Sequence, residues 1–327
     1  MTVDDKRAEA PRQEMPSEGG PLGVYGGKRP PAPDWFEAAI STRYHTQFLE
    51  RDGRKVHYQT WGDPSRPGLL LVHGNGAHAH WWDFVAPYFL NEYHVAAVTF
   101  SGMGDSDWRD KYNMETFSED QMAVAEAAGF FLNAQKPLII AHSFGGFVTM
   151  LTGSKYGNRF AGMVIVDSPV HRPGEDDHGP PRSARPNKIY PSLQMALGRF
   201  RLAPPQPCEN HYAMDYIARH SLKEVSGETG AGGFQWKFDP SIWRRFDAAG
   251  EHPSEMLASI SCPLAILRGA QSAILQDDVW DYMKSLVDET VPFISIPHAH
   301  HHVMLDQPIA FIAALQTLLA MWRKASR

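Results

Sequence analysis

The sequence predicts an α/β protein: a doubly wound, mostly parallel sheet of eight strands with an inserted helical cap. Three observations carry this. Short, nearly all-apolar runs recur along the chain, as strands buried on both faces of a parallel sheet require. Stretches of helical length separate them. The alternation stops over residues 168–255, too long a stretch for a loop in a compact fold, and then resumes.

The elements follow in order. Residues 1–35 form a polar arm rich in Pro and Gly, expected to be flexible unless it wraps the fold or a partner, with no apolar run of signal-peptide length. Tyr44–Arg51 and Lys55–Trp61 flank Asp52-Gly53 as an opening hairpin. Gly68-Leu-Leu-Leu-Val72 is the third strand, His94–Phe100 the fourth, Pro137–His142 the fifth and Ala161–Asp167 the sixth. Helices are predicted over Thr116–Leu132 and from Gly145 to Lys155. Residues 168–255 are rich in Pro, Gly, His and aromatics, with helical pieces expected at Pro191–Arg201 and His211–Val225. Pro263–Gly269 and Val291–Pro297 complete the strands; Asp277–Val287 and Pro308–Lys324 complete the helices. The core therefore comprises residues 36–167 and 256–327, and the cap 168–255.

Composition narrows the function. Hydrophobic residues make up 43% of the 327, enough for a full core. The net charge of −6, with no long basic run, argues against nucleic acid. No run approaches the ~20 apolar residues that span a bilayer. Cys208 and Cys262 lack metal spacing and read as reduced thiols. The expectation is a cytoplasmic monomer or homodimer that acts on a small molecule, without nucleic acid or membrane as partner.

The chemistry concentrates where the fifth strand, Pro137-Leu-Ile-Ile-Ala-His142, runs into Ser143-Phe144-Gly145-Gly146 and a helix. A sharp strand-to-helix turn that exposes a serine Oγ needs small flanking residues, here Ala141 and Gly145. Ser143 as a plain helix cap is the bland alternative.

With these residues in view, the chain resembles the α/β-hydrolase superfamily over about residues 45–167 and 256–327. The motifs match in order. His73-Gly74-Asn75-Gly76 follows the third strand, where the family places its oxyanion loop; Gly102-Met-Gly104-Asp105-Ser106 follows the fourth; Gly269 ends the seventh; His301 precedes Leu305-Asp306-Gln307-Pro308. Ala141 stands where the family's motif usually begins with Gly.

The resemblance implies roles. Ser143 is the nucleophile. The backbone N–H groups of Phe144 and Asn75 form the oxyanion hole. His-Gly-Asn also occurs in haloalkane dehalogenases, but those use an aspartate nucleophile. Register from the closing motif selects His301 as general base among His298, His300, His301 and His302. A metal site in this His-rich run is the competing reading, weakened because adjacent residues rarely converge on one ion; no metal or cofactor is expected. The family's commonest acid position, after the seventh strand, holds Ser272. Asp167, at the end of the sixth strand, is the expected acid instead, with Asp277 or Asp278 as the alternative. Trp81, Trp82, Met103 and Trp236 are candidates for the substrate pocket, and Arg201, Arg219 and Lys237 for a substrate carboxylate. The implied activity is acyl-enzyme hydrolysis of a carboxylic ester or lactone. C–C or amide hydrolysis by the same residues, and a receptor without turnover, are the rivals.

Overall fold

The computed structural model describes residues 19–175, 186–226 and 232–325. The hairpin forms as β1 (His45–Arg51) and β2 (Arg54–Trp61), antiparallel, with Asp52 and Gly53 both at positive φ in the turn. Then come β3 (Gly68–Val72), β4 (His94–Val98), β5 (Leu138–His142), β6 (Gly162–Val166), β7 (Leu264–Gly269) and β8 (Phe293–Ile296). The sheet order is β1-β2-β4-β3-β5-β6-β7-β8, parallel from β4 onward.

Burial explains why these runs are strands. Every residue of β3, β4, β5 and β6 is buried, so a covering layer lies on each face. Side chains alternate between two cores. Leu69, Leu71, Ile140, Val164 and Val166 face one way; Leu70, Val72, Ile139, Met163 and Ile165 face the other. On the first side lie Trp82, α1 (Asp34–Ile40) and α8 (Pro308–Ala325), through Phe36, Phe311 and Leu315. On the second lie α2 (Met114–Ala127), α3 (Phe144–Tyr156) and α7 (Asp277–Ser285), through Phe117, Val148 and Trp280. Asn113 starts α2 by accepting the Thr116 N–H, and the predicted start at Thr116 moves two residues earlier. That helix ends at Ala127, before Gly129 at positive φ, short of the predicted Leu132.

Residues 168–255 leave after β6. They carry α4 (Leu193–Leu197), α5 (His211–His220) and an antiparallel ribbon of Leu222–Val225 with Gly233–Trp236. The helix expected over His211–Val225 thus stops at His220. Leu222–Val225 pairs instead with the next strand, Gly233–Trp236, which the helical periodicity read over 211–225 does not reveal. α6 (Pro253–Ala258) leads back to the sheet. The segment is attached near β4 through Asp239 N–H on the Gly102 carbonyl (2.8 Å) and Tyr112 Oη on Asp239 (2.8 Å).

The arm expected to be flexible is docked from Gly19 on, and residues 1–18 lie outside the described residues. Leu22 is buried, Gly20 N–H donates to the Gly198 carbonyl (2.6 Å), and Arg219 donates to the Gly27 carbonyl (2.7 Å). Phe36 packs edge-on against Tyr212 of α5. The apolar residues that dock it are too sparse to form a periodic pattern.

Candidate active site

Ser143 sits between β5 and α3 at φ 54° and ψ −122°, a backbone region that non-glycine residues occupy only when their surroundings enforce it. The enforcement is visible. Ser143 N–H donates to the Val166 carbonyl (2.8 Å), and its own carbonyl accepts from Ser168 Oγ (2.8 Å). The glycines behind it have no room for a side chain. A Cβ on Gly145 would stand 2.4 Å from the His73 carbonyl oxygen, and one on Gly146 would collide with Ser168 Oγ. α3 therefore packs directly on the loop after β3.

That loop meets the serine. A Cβ on Gly74 would lie 3.0 Å from Ser143 Cβ. His73 fixes the loop's shape: its Nδ1 donates to the Gly74 carbonyl (2.7 Å) and its Nε2 accepts the Phe100 N–H (3.0 Å). Asn75 is exposed toward the cavity described below, and Phe144 opens α3, where N–H groups lie free of intrahelical partners.

The histidine and acid are joined. His301 Nδ1 lies 2.8 Å from Asp167 Oδ1, and both side chains are almost fully buried. Asp167 follows β6 at φ 48°, one strand over from Ser143. Its carboxylate accepts two further bonds: Gly269 N–H at 2.8 Å and Ser272 Oγ at 2.7 Å. The alternatives lie apart, Asp277 exposed and paired with Arg268, Asp278 exposed in the first turn of α7. Ser272, which sequence pattern marks as a lost acid, hydrogen-bonds the acid that has moved. Among the described residues neither Ser143 Oγ nor His301 Nε2 makes a hydrogen bond, so the two atoms that would exchange a proton are left uncommitted.

Two more imidazoles, His142 and His302, pack against His301, and a third, His73, lies close enough to act on His142. His142 Nε2 bonds the His301 carbonyl (2.9 Å), with ring centroids 4.7 Å apart. His302 packs 4.7 Å from His301 and 5.3 Å from Trp81. Burial pushes His73 down to about 4, and burial then repulsion from His301 push His142 and His302 well below the usual 6.5. All three are neutral near pH 7, so a charged His301 would face no fixed imidazolium beside it. Contrary to the expectation for a His-rich run, His301 and His302 do converge, with His142, on a group whose nitrogens lie within 4.8 Å of one another. His298 is exposed, while His300 is half-buried and binds Asp306.

A cavity of about 350 Å³ opens beside the site, bounded by Asn75, Trp81, His302, Phe200, Trp236 and Phe238. Trp81 and Trp236 are placed on its wall. Trp82 and Met103 are not: both are fully buried in the core and absent from its wall, because the turn after β3 and the Met103–Phe238 bridge direct them inward. Of the three cations in residues 168–255 singled out above, Lys237 pairs with Asp105 and Arg219 with Asp215, while Arg201 donates to the Gly198 and Phe200 carbonyls at the cavity rim.

Known proteins are similar to this chain in sequence and fold. The sequence model of the alpha/beta hydrolase family matches residues 69–315. Epoxide hydrolase 3 of Xenopus tropicalis is 20% identical over 307 residues, 88% of this chain and 81% of that protein. Esterase Rv0045c of Mycobacterium tuberculosis is 25% identical over 274 residues, 79% of this chain and 84% of that protein. Its crystal structure superposes with a TM-score of 0.65 at 21% identity, covering 94% of this chain and 100% of that one. The thioesterase domain from the curacin biosynthetic pathway superposes at 0.69 and 21% identity, over 84% and 100% respectively. The chain belongs to the alpha/beta hydrolase family and is a hydrolase built on that family's sheet.

Proposed function

We propose that the protein is a serine hydrolase that cleaves a carboxylic ester or lactone of a small, largely apolar molecule through an acyl-enzyme. The observation that carries this is the buried His301–Asp167 pair at 2.8 Å, next to a serine held in a strained turn at the end of the adjoining strand. In this reading His301 Nε2 takes the Ser143 proton as Oγ attacks the carbonyl carbon. The N–H groups of Asn75 and Phe144 receive the oxyanion. The tetrahedral intermediate collapses as imidazolium protonates the leaving alkoxide, and water then repeats the sequence to free the acid and restore Ser143. Asp167 orients the ring and stabilises its charged form. Residues 168–255 act as the cap, and Phe200, Trp236 and Phe238 supply the apolar wall of the binding cavity.

The epoxide hydrolase name among the relatives raises a second bond type. Serine chemistry does not suit it. Attack of Ser143 on an oxirane carbon yields an alkyl ether, which has no carbonyl for water to attack, so the enzyme would stall. Among the described residues no helix is long and apolar enough to cross a membrane.

The test is a panel of short p-nitrophenyl esters, lactones and epoxides, with Ser143→Ala as control. Ester or lactone turnover that the control loses is expected. Turnover confined to epoxides, or unchanged in Ser143→Ala, overturns the reading.

A further inference from the structure

We propose that His80, Asp83 and His220 bind one divalent transition-metal ion, Zn²⁺ by their donor chemistry, which ties residues 168–255 to the sheet. One ligand atom from each of the three lies within 4.8 Å of the others. Two imidazoles and a carboxylate are a donor set suited to Zn²⁺ and its neighbours. His80 and Asp83 belong to the turn after β3, and His220 ends α5, so the group bridges the two parts of the molecule.

The surroundings point to a missing partner. Asp83 is buried, and among the described residues no lysine or arginine pairs with it. Its Oδ2 is used by Tyr216 Oη (2.6 Å) and His80 Nδ1 (2.7 Å), but its Oδ1 is buried without a hydrogen bond. Gln59 Oε1 and His78 Nδ1 are buried orphans next to the same cluster, where Gln59 Nε2 is 3.0 Å from His80 Nδ1 and the His78 and His80 rings touch edge-on. Buried polar atoms are normally satisfied, and an unpartnered oxygen of a buried carboxylate, with two further orphans beside His80, marks a place where a cation and its bound water fit. The His80 and His220 rings stack 3.9 Å apart, inclined by 22°, so binding an ion requires both side chains to rotate until a ring nitrogen of each faces it. His220 is half-buried and lines a groove with Arg29, Pro30 and Tyr216, which gives an ion a path from solvent.

This site is separate from Ser143 and holds whether or not the esterase reading does. The full-length protein, freed of metal with a chelator, is titrated with ZnCl₂ by calorimetry and by thermal unfolding. Binding of one equivalent and a Tm rise of several degrees are expected. His220→Gln should abolish both. His302→Gln, which disables the separate group of His142, His301 and His302, should retain both. No stoichiometric binding by the wild type, or the same binding and Tm shift in His220→Gln, overturns the proposal. If His220→Gln does not fold, Co²⁺ added to wild type and His302→Gln decides. Visible absorption bands of a nitrogen–oxygen site are expected in both, and their absence from either overturns it.

Discussion

At the residue scale the proposed chemistry hangs on Asp167, because a hydroxyl at position 272 cannot balance an imidazolium. Asp167→Asn keeps the shape but removes the charge and favours the wrong His301 tautomer. By analogy with other serine triads, kcat on an ester substrate should fall on the order of 10⁴-fold. Asp277→Asn should stay within about twofold of wild type in the same assay, since that residue is exposed on α7 and bonds Arg268. In the proposed mechanism Ser272, which donates to Asp167, is a positioning residue that acts through it. Ser272→Ala removes one of three bonds to the carboxylate, worth about 1 kcal/mol, so kcat should drop about fivefold with KM little changed. A kcat loss as large as that of Asp167→Asn would show that Ser272 does more than orient. Ser143 and His301 were legible in the sequence because a turn motif and a register count each single out one residue. Asp167 was legible from its place at the end of the sixth strand, once position 272 was seen to hold Ser. The role of Ser272 was not, because its contact with Asp167 joins residues 105 apart that meet only in the folded sheet.

At the element scale the turn between β5 and α3 depends on how closely α3 approaches β3. Gly145→Ala would place a methyl 2.4 Å from the His73 carbonyl, and both are backbone-anchored. The expected result is a loss of about 1–3 kcal/mol in urea unfolding from overpacking. Activity should fall more than 10²-fold, because a shift of about 1 Å misplaces Oγ. Wild-type activity in Gly145→Ala would show that the turn has slack. The strands were legible because parallel strands covered on both faces read as unbroken apolar runs. The helices that flank them were legible to within a few residues, with α2 set by its Asn113 cap and by Gly129 rather than by its apolar stripe. Residues 168–255 were read as non-alternating, but their ribbon was not foreseen. Leu222–Val225 continues the sequence of α5 and becomes a strand only because Gly233–Trp236 lies beside it. The same holds for Trp82, whose type suits a pocket but whose place in a short helical turn points it into the core.

At the scale of the whole molecule, acid is the condition that should undo the fold. His73 is buried neutral at about 4 and titrates near 6.5 when unfolded. A folded value below the unfolded one means that the unfolded chain binds more protons as pH falls through 6.5, so stability drops from there down to about 4. His73 alone contributes a loss of about 2 kcal/mol by pH 5, and His142 and His302 act in the same direction. Urea unfolding at pH 7.5 and pH 5 should show this decline; equal stability at the two values would mean that these imidazoles are hydrated in solution. The docked segment from Gly19 to Ile40 also spans the molecule, touching α4, α5 and the first core. Its composition is polar and rich in Pro and Gly, so the sequence read it as loose. The central claim is that Ser143 is an activated nucleophile, and covalent labelling tests it most directly. After incubation with a fluorophosphonate and peptide mapping, the account predicts one adduct on Ser143, formed slowly in Asp167→Asn and absent in Ser143→Ala. No adduct on the wild type, or an equal adduct on Ser143→Ala, would contradict it.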